Sequence, residues 1–111
     1  TDFSFVAEEG GRPVANRVGP GKRPRSSMAP TLVFERAGGR LVLALGSAGG
    51  SAIPNHVLKT LVGVLDWQLA LPDALALPHV GSRNGPTELE PGRTGPALAA
   101  ALRERGHEVA E

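Results

Sequence analysis

Residues 41–51, LVLALGSAGGS, end an apolar run abruptly in six small residues, and a helical pattern follows from Ala52. Between a buried strand and a helix, small residues let backbone amides come close to a ligand. The start of the helix adds N–H groups that have no partner within it and carry partial positive charge. Such a turn can hold a negative oxygen, with Gly46, Gly49 and Gly50 as the residues that allow the approach. Taken alone, the same glycines more often make nothing beyond a tight strand-to-helix connection, and both readings stand at this point.

The other chemistry-bearing residues exclude more than they suggest. Lys22, Arg23 and Arg25 lie in GKRPRSSMAP, residues 21–30. A phosphate loop needs Ser or Thr directly after Gly-Lys and a strand before it; Arg23 follows Lys22 and no strand precedes, so that reading fails. A nucleic-acid surface needs more charge and aromatic stacking partners than a net charge of +1, one Trp, three Phe and no Tyr supply. These cations read as a solvated basic loop. His56 is alone, without a second His or a carboxylate at metal-ligand spacing. No cysteine is present, which excludes disulfides, thiolate zinc sites and a thiol nucleophile but leaves the compartment open. The longest apolar stretch, residues 53–71, carries His56, Lys59 and Asp66, so no membrane span is expected. There is no signal-peptide pattern and no initial Met, so the start of the chain says nothing about targeting.

The elements that must position these residues are legible in outline. At 111 residues, 41% hydrophobic and 21% charged, the chain suits one globular domain or a piece of one, with a core of Leu, Val, Ala and Ile. In residues 1–6, TDFSFV, Phe3 and Phe5 alternate with polar neighbours, which predicts a short extended segment with one buried face. Residues 7–20 have loop composition and residues 21–30 should be irregular. Thr31–Glu35 and Leu41–Leu45, joined through Gly38 and Gly39, predict a β-hairpin whose second strand is apolar enough to be central and covered on both faces. Ile53, Val57, Leu61, Val64 and Leu65 fall at helical spacing, widened by Leu58, Val62 and Leu69, with Ser51 as the cap and Pro54 in the first turn. A short helix opens at Pro72-Asp73, Thr87–Glu90 is a strand, and a helix over residues 95–105 carries Leu98, Ala101 and Leu102 on one side and stops at Gly106. His107 starts a last strand. The order of hairpin, long helix, short helix, strand, helix and strand start predicts an α+β chain or a layered αββα piece.

Four segments in this order resemble the small subunit of the γ-glutamyltransferase (γ-glutamyltranspeptidase) family of N-terminal-nucleophile hydrolases. They are Asp2-Phe3-Ser4, Gly19-Pro20-Gly21-Lys22-Arg23-Pro24 running into Ser26-Ser27-Met28-Ala29-Pro30-Thr31, Gly46-Ser47-Ala48-Gly49-Gly50-Ser51, and the helical tail. The resemblance implies a fragment of an αββα sandwich and cleavage of γ-glutamyl amides such as glutathione through an acyl-threonine, with transfer to water or an amine. It implies that Asp2 pairs with the substrate's α-ammonium, that Ser26 and Ser27 hold its α-carboxylate, and that the amides of Gly49 and Gly50 form the oxyanion hole. It implies no cofactor, a large subunit and the remainder of the small subunit as partners, and a periplasmic or secreted location. Each role is sound chemistry: an ammonium needs an acid, a carboxylate needs donors, and each donor aimed at an oxyanion is worth about 10²–10³ in rate.

The chain also departs from the family pattern. The family's nucleophile is a Thr at a newly cut N-terminus, activated by its own amine. Thr1 directly precedes Asp-Phe-Ser, where the family usually has another acid and its nucleophile lies well upstream, so no nucleophile is assigned in this chain. Arg25 stands where the family commonly has an aliphatic residue. Residues 1–111 are therefore expected to be a partial domain, the C-terminal part of a small subunit, which cannot turn over alone and whose uncovered sheet edges favour self-association. Two other readings remain: a stand-alone, non-catalytic module that binds a γ-glutamyl compound or amino acid, and a minimal amidohydrolase that uses Thr1 itself.

Overall fold

Residues 2–111 are described by a computed structural model; Thr1, weighed above as a nucleophile, lies outside them. Short strands and three helices alternate along the described residues, which bears out the α+β class. By its internal contacts the chain divides into two units, Thr1–Pro54 and Asn55–Glu111.

The first unit opens with a tight hairpin that loop composition concealed. Strands β1 (Glu8–Glu9) and β2 (Arg12–Pro13) pair antiparallel around Gly10 and Gly11, both at positive φ, which matches the right-handed twist of the flanking strands. The buried face expected from Phe3 and Phe5 forms only in part: Phe3 is half-buried but Phe5 is fully exposed, and Asp2 and Ser4 make single backbone bridges to Arg25 and Arg17. Strands β3 (Thr31–Phe34) and β4 (Leu41–Leu45) form the predicted hairpin, with Thr31 opposite Leu45 and Val33 opposite Leu43. Gly38 and Gly39 take positive φ in its turn, and a bulge after Val33 shifts the register so that Phe34 faces Leu41. The expectation that β4 is central and doubly covered is corrected. Among the described residues its sheet has two strands; Leu43 is buried, but Leu32, Phe34 and Val42 stand about half exposed.

The second unit is built on the helix predicted after the glycine turn. A 3₁₀ turn, Gly50–Ala52, leads into α1 (Ile53–Leu65), which places Ser51 inside that turn rather than at its boundary. The helix is shorter than its apolar pattern. The amides of Asp66 and Trp67 both return to the Val62 carbonyl and that of Leu69 to Gly63, while Gln68 sits at positive φ, so Leu69 falls beyond the helix. Val57, Thr60 and Gly63 are buried along α1, whereas Leu58 and Leu65 are exposed.

Helix α2 (Leu71–Ala76), with Pro72 in its first turn, crosses α1 where both chains are smallest. Ala74 is fully buried, and a Cβ built on Gly63 would come within 2.9 Å of the Ala74 Cβ. Strands β5 (Val80–Gly81), β6 (Thr87–Leu89) and β7 (Val109–Ala110) make a mixed sheet, β6 antiparallel to β5 and parallel to β7. Helix α3 (Pro96–Glu104) ends as expected at Gly106, whose left-handed φ lets its amide reach Arg103 and that of His107 reach Leu102. The stripe on α3 is displaced from the one expected: Ala99 is buried and Leu98 is exposed. Thr87 is the buried polar residue of β6, its Oγ1 bonded to His107 Nδ1 at 3.0 Å.

The Gly63–Ala74 contact sets two effects against each other. Alanine at a helix interior gains about 1 kcal/mol over glycine, and overpacking costs about 1–3 kcal/mol. Because the obstructing atoms are a side-chain carbon and the Ala74 backbone, the steric term dominates. Gly63→Ala is expected to lower stability by up to about 2 kcal/mol in thermal melts, and Ala74→Gly in the same chain to recover part of it.

Candidate functional site

Three short segments of the first unit are fastened together by one side chain. Asn16 Nδ2 donates to the Asp2 carbonyl at 2.9 Å, and Asn16 Oδ1 accepts the Arg25 backbone N–H at 2.8 Å. The Asn16 carbonyl in turn accepts the Ser4 amide at 2.9 Å. A carboxamide carries a donor and an acceptor in one plane, so it can bridge two chains that lack the length for a regular ladder. The bridges Asp2–Arg25 and Ser4–Arg17 complete the arrangement, and Lys22 Nζ bonds the Ala15 carbonyl. Sequence reasoning missed Asn16. Its signal was an isolated amide in a stretch otherwise written as loop.

This bracing opens a cleft of about 300 Å³ lined by Asp2, Arg25, Ser27, Met28, Gly50, Ser51 and Ile53. Of the five residues singled out above, it gathers Asp2, Ser27 and Gly50. Ser26 and Gly49 adjoin it in sequence without lining it, and the Ser26 hydroxyl accepts the Met28 amide at a long 3.4 Å. Gly49 and Gly50 both take positive φ. The Gly49 carbonyl accepts the Ala52 amide and the Gly50 carbonyl that of Ile53. Their own N–H groups precede the first helical bond and have no acceptor within the turn. A second opening of about 310 Å³ lies across Asp2 and Arg25, against Phe3, Ser4, Phe5, Val14 and Asn16.

Among the described residues the charges of the cleft are not paired with each other. Ion pairs join Glu35 to Arg40, Glu88 to Arg83 and Glu90 to Arg93, and none involves Asp2 or Arg25. The cleft thus presents a carboxylate, a guanidinium, a half-buried hydroxyl and the amide of a glycine turn. That set can recognise a small zwitterion and stabilise a negative oxygen beside it.

The second unit holds a cluster that the sequence scattered between His56 and Arg93. The rings of His56 and His79 lie with centroids 3.9 Å apart, so His56 does have a histidine neighbour. Among the described residues, however, no group of three or more His, Asp or Glu is placed to hold a metal. Lys59 Nζ caps the end of α2 by donating to the carbonyls of Leu77 at 2.6 Å and Leu75 at 3.1 Å, and Arg93 donates to that of Ala76. Cations at a helix C-terminus are favourable there. Burial pushes the Lys59 ammonium below its ordinary range, against the pull of Glu90. Burial likewise lowers His79, assisted by Lys59 and His56, and its Nδ1 is buried without a partner. The His79 backbone N–H, at 2.8 Å from Glu90 Oε2, holds the Glu90 carboxyl below the usual range. A cavity of about 470 Å³ nearby is walled by Leu58, Val62, Trp67, Leu77, Pro78 and Val80. Its wall also includes Asn55, Gly81 and Lys59, whose ammonium donates to the carbonyls at the end of α2. The geometry of this cluster serves packing and helix capping.

Comparison with known proteins places the whole chain. The sequence model of the gamma-glutamyltranspeptidase family matches residues 1–111. The chain is 43% identical over 75 residues to the glutathione hydrolase proenzyme of Escherichia coli K12, covering 68% of this chain and 13% of that one. It is 37% identical over 92 residues to the acylase ACY 1 proenzyme of Pseudomonas sp. SE83, covering 83% and 16%. The chain therefore spans about one sixth or less of these relatives. Its fold is similar to the gamma-glutamyltranspeptidase of Pseudomonas nitroreducens complexed with L-DON, with a TM-score of 0.74 and 28% identity over 99% of this chain and 60% of that one. A T380A mutant of the Helicobacter pylori enzyme matches with a TM-score of 0.76 and 28% identity over 86% and 52%.

Two outcomes are expected from these arrangements. Asn16→Ala removes two solvent-exposed hydrogen bonds and should cost about 0.5–1.5 kcal/mol for each in thermal or urea unfolding; Asn16→Asp keeps the acceptor for the Arg25 amide but sets an oxygen against the Asp2 carbonyl, and should not recover the loss. Folded His79 and Glu90 both have lowered pKa, so their contributions are fully present above the ordinary values of 6.5 and 4.5. Each is lost as pH falls through its folded pKa. Melting temperature should decline in two steps below those values, and His79→Gln should remove the upper step.

Proposed function

The chain belongs to the γ-glutamyltranspeptidase family, and from that premise we propose that it supplies the glutamate-binding and oxyanion elements of an enzyme that cleaves γ-glutamyl amides such as glutathione. The observation that carries this reading is the gathering of Asp2, Ser27 and Gly50 around one cleft. Asp2 takes the α-ammonium of the glutamyl group, and Ser26 and Ser27 take its α-carboxylate. The γ-carbonyl then lies toward the glycine turn. Attack by a threonine hydroxyl breaks the carbonyl π bond and places negative charge on its oxygen, which the amides of Gly49 and Gly50 receive. Collapse of this intermediate expels the amine, which takes a proton, and leaves an ester on threonine. Water or an acceptor amine attacks the ester and releases glutamate or a new γ-glutamyl amide.

The threonine belongs to a part of the enzyme other than residues 1–111. On this reading the chain is a portion of an αββα small subunit that works with the remainder of that subunit and a large subunit, in the periplasm or outside the cell. Alone it binds without turnover. The exposed apolar residues Leu32, Phe34 and Val42 favour self-association of the isolated chain.

The test is release of p-nitroaniline from a γ-glutamyl anilide, by this chain alone and by the complete gene product that contains it. Activity confined to the complete product is expected. There, Asp2→Asn should raise KM about tenfold to a hundredfold, the loss of one charge-assisted bond. Activity of the isolated chain, abolished by Thr1→Ala, would replace this reading with the minimal amidohydrolase. Glutamate binding with no activity in either preparation would leave a non-catalytic module.

A further inference from the structure

We propose that Arg25 is a specificity-determining residue of the cleft, pairing with the α-carboxylate of the bound amino-acid head while Asp2 pairs with its ammonium. The inference deepens the glutamyl reading given above and rests on it. Its ground is the placement of two opposite charges. Asp2 and Arg25 face each other across an isolated antiparallel bridge, and residues opposed in this way project to the same side of the chain pair. Both line the 300 Å³ cleft, together with the half-buried Ser27.

Opposite charges on such a pair would ordinarily close on each other. Here no ion pair joins them, and neither is claimed by another charged residue of the described chain. Their backbones cannot drift apart, because the Asn16 carboxamide holds the Asp2 carbonyl and the Arg25 amide at once. A carboxylate and a guanidinium carried on bridged backbones and unspent on each other are complementary to a ligand that carries an ammonium and a carboxylate on one carbon. The guanidinium adds two parallel donors in the geometry a carboxylate accepts, and Ser27 adds a neutral one. An aliphatic residue at position 25 would leave the carboxylate to the hydroxyls on this side of the cleft.

The proposal predicts a selective loss, measured on the complete gene product with three anilides. γ-Glutamyl-p-nitroanilide carries both charges of the head, 4-aminobutanoyl-p-nitroanilide lacks the carboxylate, and glutaryl-p-nitroanilide lacks the ammonium. Arg25→Leu should reduce the preference for the γ-glutamyl over the 4-aminobutanoyl substrate about tenfold or more, through KM rather than kcat. The preference over the glutaryl substrate should stay within about twofold. Arg25→Lys, which keeps the charge and loses the fork, should recover part of the preference. Asp2→Asn should show the reverse pattern, reducing the preference over glutaryl. An equal loss on all three substrates, or no change on any, would overturn the role of Arg25 and leave the glutamyl reading standing. A wild-type product inactive on all three would overturn that reading and this proposal with it.

Discussion

The first unit depends on one carboxamide. Residues 2–4, 14–17 and 25–28 are too short and too rich in glycine and proline nearby to form a sheet of any length, and two of their contacts are single bridges. Backbone groups left unpaired in such a region are costly wherever water is excluded. Asn16 satisfies one carbonyl and one amide from two different segments with a single planar group. That fixes the spacing of Asp2 and Arg25, and with it the cleft against which Ser27 and the glycine turn are set. A candidate site on loops then gains the definition that strands and helices usually provide.

The second unit solves a different problem by small residues and cations. With one Trp and little aromatic volume, its helices approach closely where Gly63 meets Ala74, while Gly81 lies against the end of the Asn55 side chain. Close approach brings the end of α2 near Lys59 and Arg93, which donate to its last carbonyls. The price is a half-buried group of titratable residues around His79, kept tolerable by Glu90. These charges lie in a region of packing and capping, and the chemistry suggested by paired histidines finds no third ligand among the described residues.

The open face of the β3–β4 sheet departs from its sequence pattern. Strand β4 reads as doubly covered because Leu41, Val42, Leu43 and Leu45 leave no polar face. In the structure one face is covered and the other is open at Val42, beside Leu32 and Phe34 of β3. An apolar run fixes which residues can be buried, and what packs against them decides which are.

Local chemistry determined much of this protein without its fold. Gly38-Gly39 specified the β3–β4 hairpin, the apolar period of residues 53–65 specified α1, and Gly106 ended α3, because each signal acts within a few residues of the backbone it shapes. The four motif segments likewise carried the family, since side-chain type and order survive where geometry is unseen. Register, length and burial were decided elsewhere. Ala99 rather than Leu98 faces the interior, Phe5 is bare, and α1 stops before Leu69, because each depends on what lies opposite. Only the tertiary structure brought Asn16 between Asp2 and Arg25, and His79 onto His56, for these are contacts between residues 9 to 23 positions apart. A linear pattern has no term for such pairs. They exist only after the chain has closed the loops between them.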